Sequence, residues 1–176
     1  MIVLLRRICL WFAIVAITWC FAVQPGSAAG PREDPTKLLA QADSLRARHR
    51  AQFLLIMAQL HRETAVLSEK ELWYLRYLDA WDTAFNGNFT KAEKGLRQVI
   101  DHSGDSILAT RASSLLVKLL STNRHYEEAF TLANHLASIL PGIKDPRTRF
   151  EVLTDLSVSL SFADQIDPAI QYARMA

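Results

Sequence analysis

Residues 113–141 read SSLLVKLLSTNRHYEEAFTLANHLASILP, and this stretch decides the fold class. Leucines recur at intervals of three and four on both sides of a polar turn at 122–124, which predicts two amphipathic helices joined as a hairpin. Tyr126 follows the turn, and Ala129 comes three positions later. Such a hairpin needs a large residue to close the turn and a small one to let the helices approach closely. Pro141 then ends the second helix.

The same turn pattern occurs once before this stretch and once after it. Phe89 is followed three positions later by Ala92, and Ile166 by Ala169. The three alanines are 37 and 40 residues apart, which predicts a repeated helical hairpin. The residues expected to pack the hairpins are Ala80, Phe89, Ala92, Tyr126, Ala129, Ile166 and Ala169.

Capping residues predict where the helices begin. Ser68 with Glu71, and Thr90 with Glu93, have the spacing of a capping box. Gly87 is expected to end one helix in the left-handed conformation. Further starts are predicted at Asp34-Pro35, Asp105, Asp145-Pro146 and Asp167-Pro168. The result is eight helical segments with short connections and no strand pattern, and therefore an all-α fold with antiparallel neighbours.

Over residues 71–176 the chain resembles the tetratricopeptide family. The middle unit carries the family's large, small and helix-stopping positions at Leu116, Leu120, Tyr126, Ala129, Ala133, Leu136 and Pro141. The first unit departs from the pattern at Asp79, where a large residue is usual. The resemblance implies antiparallel hairpins stacked as an α-solenoid over 35–176, with 35–66 as a divergent opening hairpin. The last repeat is expected to be incomplete, as in a fragment of a longer protein, because its second helix has no polar capping helix after it.

The first 29 residues predict a signal peptide. Arg6 and Arg7 precede an uncharged run at 8–23, and Ser27-Ala28-Ala29 offers a cleavage site after Ala29. The predicted location is periplasmic or secreted, with 30–34 as a linker. An uncleaved inner-membrane anchor is the alternative, although the run spans only about 24 Å of a roughly 30 Å hydrocarbon core. The chain's two cysteines both lie in this leader, so the remainder has no disulfide.

Charge and histidine spacing exclude several classes of function. Two of the twenty basic residues lie in the leader, which leaves eighteen against eighteen acidic residues after it. A neutral chain lacks the basic surface that nucleic acids require. The cluster Arg46, Arg48, His49 and Arg50 is interpreted as a helix end and a solvated face. No histidine pair has the i, i+4 spacing of a helical zinc site, so no metal or cofactor is expected.

A second, weaker resemblance concerns the context of the repeat. An exported leader followed by segments such as LWYLRYLDAWDTAFNGNFTKAE is similar to the periplasmic sensory regions of membrane-bound diguanylate cyclases. The resemblance implies a sensory module that binds a protein, a peptide or a small ligand. No cyclase motif occurs in the chain, and no catalytic constellation is found in it, so no enzymatic activity is expected. A free periplasmic scaffold or assembly adaptor is the alternative function.

An aromatic stripe is the candidate ligand site. Trp73, Tyr77 and Trp81 recur every four residues on one predicted helix, with Arg76 and Asp82 at its edge. Aromatic side chains at this spacing suit either the packing of a hairpin or the lining of a groove. Both interpretations stay open from the sequence.

The substitution Trp81→Ala separates these two interpretations. If Trp81 lines a groove, the variant loses ligand binding and keeps its helicity. If Trp81 belongs to the core, helicity measured by circular dichroism falls instead.

Overall fold

The computed structural model describes residues 33–176, and every regular element in that part of the chain is helical. The all-α prediction is therefore confirmed for the described residues. The predicted leader at 1–29 and the first three residues of the predicted linker lie outside them. The elements are α1 (Pro35–Leu45), α2 (Arg50–Arg62), a 3-10 turn (Thr64–Val66), α3 (Glu69–Phe85), α4 (Phe89–His102), α5 (Ser106–Thr122), α6 (Tyr126–Ile139), a second 3-10 turn (Leu140–Gly142), α7 (Pro146–Phe162) and α8 (Ile166–Met175).

Four predicted helix starts are confirmed by side chains that cap backbone N–H groups. Asp34, Asp105 and Asp145 accept hydrogen bonds from amides in the first turns of α1, α5 and α7. At α3 the capping box is complete: Ser68 Oγ accepts from the Glu71 amide at 3.3 Å, and Glu71 Oε2 accepts from the Ser68 amide at 2.8 Å. The first amides of a helix have no partner inside it, so these side chains determine where each helix begins.

The start of α4 differs from the prediction. Its cap is Asn88, whose side chain accepts from the Lys91 amide at 3.3 Å. The helix therefore begins one residue before Thr90, and the predicted capping box of Thr90 with Glu93 is wrong. Asparagine caps a helix as well as threonine does, and here the earlier residue takes the position.

The start of α8 also differs. The helix begins at Ile166, so Asp167 and Pro168 lie inside its first turn instead of preceding it. Proline is tolerated there because the amide that it lacks would have no helical partner in any case.

Three turns between paired helices have the same backbone geometry. Gly87, Arg124 and Asp164 end α3, α5 and α7 in the left-handed region, with φ values of 80°, 63° and 57°. In each turn the next amide donates to the carbonyl five residues back: Asn88 to Thr83 at 3.1 Å, His125 to Leu120 at 2.9 Å and Gln165 to Leu160 at 2.9 Å. This bond pattern is the Schellman motif, and it reverses the chain directly into the next helix.

Each odd-numbered helix packs on the even-numbered helix that follows it, and α1, α3, α5 and α7 also pack on one another in sequence. In addition, α4 packs on α5, which begins the next hairpin. The alanines at 80, 92, 129 and 169 are all buried at these contacts. At Gly95 α4 lies close to α3, and an added Cβ there would be 3.2 Å from the Cβ of Ala80. In the described part of the chain no helix is long and apolar enough to cross a membrane.

The interior consists of two apolar clusters. The first contains buried side chains of α1 to α6, including Leu39, Phe53 and Leu78, with Ala129 from α6. The second contains Val117 of α5 with side chains of α6, the second 3-10 turn and α7, including Leu153. Since α5 and α6 both contribute to the two clusters, this hairpin forms the wall between them.

We expect the protein to be more stable with glycine than with arginine at position 124. A residue with a Cβ in the left-handed region costs about 1–2 kcal/mol, which glycine would avoid. Glycine's greater freedom in the unfolded chain offsets about 0.4–1 kcal/mol of this stabilisation. We expect Arg124→Gly to raise the free energy of unfolding by about 0.5–1 kcal/mol. Urea denaturation measures the change.

Three further variants test the cause. Arg124→Ala removes the same side chain but keeps a Cβ in the left-handed region, so it should give no such gain. Gly87→Ala should cost about 1 kcal/mol, whereas Gly142→Ala, at a glycine with open space and no positive φ, should not. Equal stability of Arg124→Gly and Arg124→Ala would contradict the backbone explanation.

Candidate functional site: an ion-pair network beside an aromatic groove

Seven polar side chains from four helices meet where the odd-numbered helices face one another. We call them the buried network. It contains Asp43 and Arg46 at the end of α1, Tyr74 and Tyr77 of α3, Arg111 of α5, and Arg147 and Glu151 of α7.

Arg111 lies at the centre of the network, with a side chain only 6% exposed. Its Nη2 donates to both Asp43 oxygens at 2.8 and 3.0 Å, and its Nε donates to Glu151 Oε2 at 2.8 Å. Its Nη1 lies 3.2 Å from the Tyr74 hydroxyl. A planar guanidinium has donors on several edges, so it joins α1, α3 and α7 at once.

Arg46 makes a second set of contacts around the same carboxylates. Its Nη1 donates to the Tyr77 hydroxyl at 2.7 Å, and its Nη2 donates to Glu151 Oε1 at 2.8 Å. Its Nε lies 3.3 Å from Asp43 Oδ1. The guanidinium carbon is also 5.4 and 5.3 Å from the ring centroids of Tyr77 and Trp81, within the range of cation–π attraction.

Arg147 completes the network from its more open side. Its Nη2 lies 2.8 Å from Asp43 Oδ2 and donates to the Asp43 backbone oxygen at 3.0 Å. Its Nε donates to Glu151 Oε1 at 3.4 Å. Three guanidinium groups therefore surround two carboxylates, and the side chain of Arg147, 43% exposed, is the most open of the three.

The network keeps Asp43 ionised and Tyr74 neutral. Burial alone raises the pKa of Asp43, but Arg46, Arg111, the Tyr74 hydrogen bond and Arg147 together hold that pKa below its ordinary value of 3.8. Burial and the adjacent Asp43 carboxylate raise the pKa of Tyr74 to about 12. The Tyr74 hydroxyl therefore stays protonated at neutral pH and donates to Asp43 Oδ2 at 2.6 Å.

An apolar groove of about 150 Å³ lies beside the network. Its wall is aromatic on one side, where Trp81 and Phe85 stack with ring centroids 5.3 Å apart and planes inclined by 19°. Phe85 is 61% exposed although it is a large apolar side chain. The residues lining the groove are Trp81, Ala84, Phe85, Phe89, Leu115, Lys118, Leu119 and Thr122.

Two ion pairs lie at the edge of this groove. Lys118, on its wall, lies 3.1 Å from Asp155 of α7. The guanidinium of Arg50 packs over the Phe85 ring at 4.7 Å and pairs with Asp82. The groove thus combines an apolar floor with ionic groups at its edge, as ligand sites in proteins do.

The predicted aromatic stripe is divided among three environments. Trp73 lies against Arg76, at 4.3 Å, and against the His102 ring, at 6.0 Å. Tyr77 is buried in the network, and Trp81 lines the groove.

The edge residues of the predicted site are divided in the same way. Arg76 is exposed on the Trp73 side, whereas Asp82 pairs with Arg50 beside the groove. The structure therefore brings Trp81 and Asp82 to one region and leaves Trp73 and Arg76 in another.

The sequence pattern does not single out the charged residues of the network. The prediction that Arg46 lies on a solvated basic face is wrong, because its side chain is only 11% exposed. A signal was present in the repeat spacing. Tyr74, Arg111 and Glu151 are separated by 37 and 40 residues, the same intervals as the packing alanines, so they occupy one position in three successive hairpins.

The carboxylates of this region are engaged by basic partners. Both network carboxylates are held by arginines, and the nearby Asp79 accepts from His61 at 2.8 Å, while burial raises its pKa. Within residues 33–176 no three His, Cys, Asp or Glu side chains gather in a way that would hold a metal ion.

Comparisons of the chain with protein-family models, with curated proteins and with solved structures give no match in any of the three.

We expect neutralisation of Asp43 to lower the free energy of unfolding more than neutralisation of any other carboxylate. Asp43→Asn leaves Arg111 and Arg147 short of a charged partner in a buried site, and such a loss destabilises by about 3–5 kcal/mol. Urea denaturation at neutral pH measures it. The control is Glu128→Gln, which breaks an ion pair to Arg97 whose partners are 51% and 40% exposed; it should cost no more than about 1 kcal/mol.

The pH dependence provides a second check. The folded pKa of Asp43 lies below 3.8, so its contribution is fully present above that pH and is lost as the pH falls below it. The free energy of unfolding should therefore fall less steeply below this pH in Asp43→Asn than in the wild type. Parallel acid-denaturation curves would refute the role assigned to Asp43.

Proposed function

We propose that this chain is an exported, tetratricopeptide-like module that binds an extended peptide segment, with one apolar side chain of the peptide seated in the groove of Trp81 and Phe85. The observation that carries the proposal is Phe85. It is a large apolar side chain, 61% exposed, stacked on Trp81 at the mouth of an apolar groove.

The size of the groove supports a peptide side chain over a larger ligand. Pockets for drug-sized molecules enclose about 300–1,000 Å³. The groove encloses about 150 Å³, which suits the side chain of a single leucine, methionine or phenylalanine. An extended chain presents such side chains singly, and its polar backbone would run past Lys118 and the Arg50–Asp82 pair.

Three features favour the tetratricopeptide-like arrangement. The hairpins share one turn geometry at Gly87, Arg124 and Asp164. The odd-numbered helices pack on one another in sequence, as the first helices of stacked hairpins do. The small positions at the hairpin contacts are filled by buried alanines at the predicted interval. In such arrays the first helices line the concave surface, and the groove lies between α3, α4 and α5.

The periplasmic location and the sensory role rest on the leader and on the resemblance to sensory regions of diguanylate cyclases. Under this proposal the peptide-binding groove is the input site of a signalling protein. A free periplasmic adaptor would use the same groove, so the binding experiment applies to both.

Phe85→Asp tests the groove directly. Selection from a displayed library of random peptides should yield sequences that share one large apolar residue. Losing the contact of one buried apolar side chain costs about 1.5–3 kcal/mol, so the variant should bind a selected peptide about tenfold more weakly or worse. Isothermal titration calorimetry measures the affinity.

The matched control is Phe150→Asp, which places the same charge at a phenylalanine of similar exposure, 54%, on α7. It should bind the selected peptide as the wild type does. Equal weakening by both variants would show that the added charge, and not the groove, is responsible. Selected peptides without a shared apolar residue would overturn the proposal.

A further inference from the structure

The contacts that the structure gives between α1 and α7 are ion pairs and hydrogen bonds made by two arginine side chains. Arg46 Nη2 donates to Glu151 Oε1 at 2.8 Å, and Arg147 Nη2 lies 2.8 Å from Asp43 Oδ2. The partners of the first pair are 105 residues apart in the chain. These pairs join the first hairpin of the array to its fourth.

Apolar packing does not duplicate this connection. The buried apolar side chains of α1, Leu38, Leu39 and Ala42, belong to the first cluster. Those of α7, Val152, Leu153 and Leu156, belong to the second. The two clusters meet at the hairpin of α5 and α6, so the α1–α7 contact depends on charge and on the geometry of a few hydrogen bonds.

Such a contact can open without unfolding either cluster. If Glu151 loses its charge, Arg46, Arg111 and Arg147 are left to share Asp43. Buried guanidinium groups without enough counter-charge repel one another, and contact with water stabilises them. Separation of α7 from α1 admits that water while the apolar packing of each helix on its own neighbours is retained.

Both sides of this contact also touch the groove. On the α1 side, the Arg46 guanidinium lies 5.3 Å from the Trp81 ring centroid. On the α7 side, Asp155 follows Glu151 by one helical turn and lies 3.1 Å from Lys118 on the groove wall. A change in the distance between α1 and α7 therefore moves neighbours of two groove residues.

We infer that the ion pairs Arg46–Glu151 and Arg147–Asp43 form a latch between α1 and α7, and that the state of the groove and the state of this latch are coupled through Trp81 and Lys118. A ligand that binds more tightly when the latch is open will open it, and one that prefers the closed latch will hold it shut. The value of the latch as a signalling device rests on the proposed function, whereas its existence does not.

The distance between α1 and α7 gives the first test, and it needs no ligand. Spin labels are placed at Ala47→Cys and Lys144→Cys, both exposed, in the full chain carrying Cys9→Ser and Cys20→Ser. Double electron–electron resonance should give one narrow distance when the latch is intact. In the Glu151→Gln background the distribution should shift to longer distances and broaden.

A second latch variant covers the case in which Glu151→Gln does not fold, and a control variant breaks an ion pair elsewhere. Arg147→Gln removes one link between α1 and α7 and leaves Arg46 and Arg111 with both carboxylates, so it remains informative if Glu151→Gln fails to fold. Glu128→Gln breaks the ion pair with Arg97, which joins α4 to α6 away from the latch, and should leave the distance unchanged. An unchanged distance in a folded latch variant, or an equal shift in Glu128→Gln, would overturn the latch.

The coupling is read from the Trp81 side chain. Tryptophan is replaced by 5-fluorotryptophan, and the ¹⁹F resonance of Trp81 is assigned with Trp81→Phe. This resonance should move in the latch variants because the Arg46 guanidinium, 5.3 Å from the Trp81 ring centroid, shifts when α7 separates from α1. Trp73, held by Arg76 and His102, is the internal control and should not move.

The outcomes separate the two claims and the proposed function. A longer α1–α7 distance with an unmoved Trp81 resonance would reject the coupling. Failure to select any groove-binding peptide would reject the proposed function and leave the latch measurements as they stand. A shift of both readouts in the latch variants, and of neither in Glu128→Gln, supports the inference.

Discussion

The arrangement of the hairpins depends on one buried guanidinium group, which needs hydrogen-bond partners in place of water. Arg111 is buried on α5, and a buried charge is tolerated only when other groups replace the water that it has lost. Those groups are Asp43, Tyr74 and Glu151, and they come from α1, α3 and α7. The relative placement of the four odd-numbered helices is therefore constrained by the donors of one side chain. Lysine would not serve, because its donors radiate from one atom and cannot reach partners on three sides in a fixed plane.

The helices and turns were largely predictable because the signals that produce them are local. Asp34, Ser68, Asp105 and Asp145 act on amides two or three residues away, so their effect can be inferred from neighbouring letters. The wrong starts at α4 and α8 have a local cause as well. Asn88 competes with Thr90 for the same capping role, and the first turn of a helix accepts a proline that usually marks its beginning.

The candidate site was less predictable because its parts come together only through packing. A spacing of four residues drifts by about 40° per step around a helix, so Trp73 and Trp81 face different neighbours although they recur regularly. Arg46 belongs to a run of basic residues, and its partner Glu151 lies far along the chain, so the run itself gives no sign of their contact. The repeat interval that relates Tyr74, Arg111 and Glu151 was the one available signal. It places them at equivalent positions but does not say that their side chains meet.

The position of α5 between two apolar clusters has a consequence for how the array comes apart. Repeat proteins in which each unit contacts only its neighbours lose their units one at a time from the ends. Here eleven residues of α5 are buried, on faces that serve both clusters. Neither cluster keeps its wall if α5 melts, so the loss of the hairpin of α5 and α6 removes support from both clusters together. Unfolding of the described helices should thus be a cooperative event centred on α5. Thermal fraying before that event should be confined to α2 and α8.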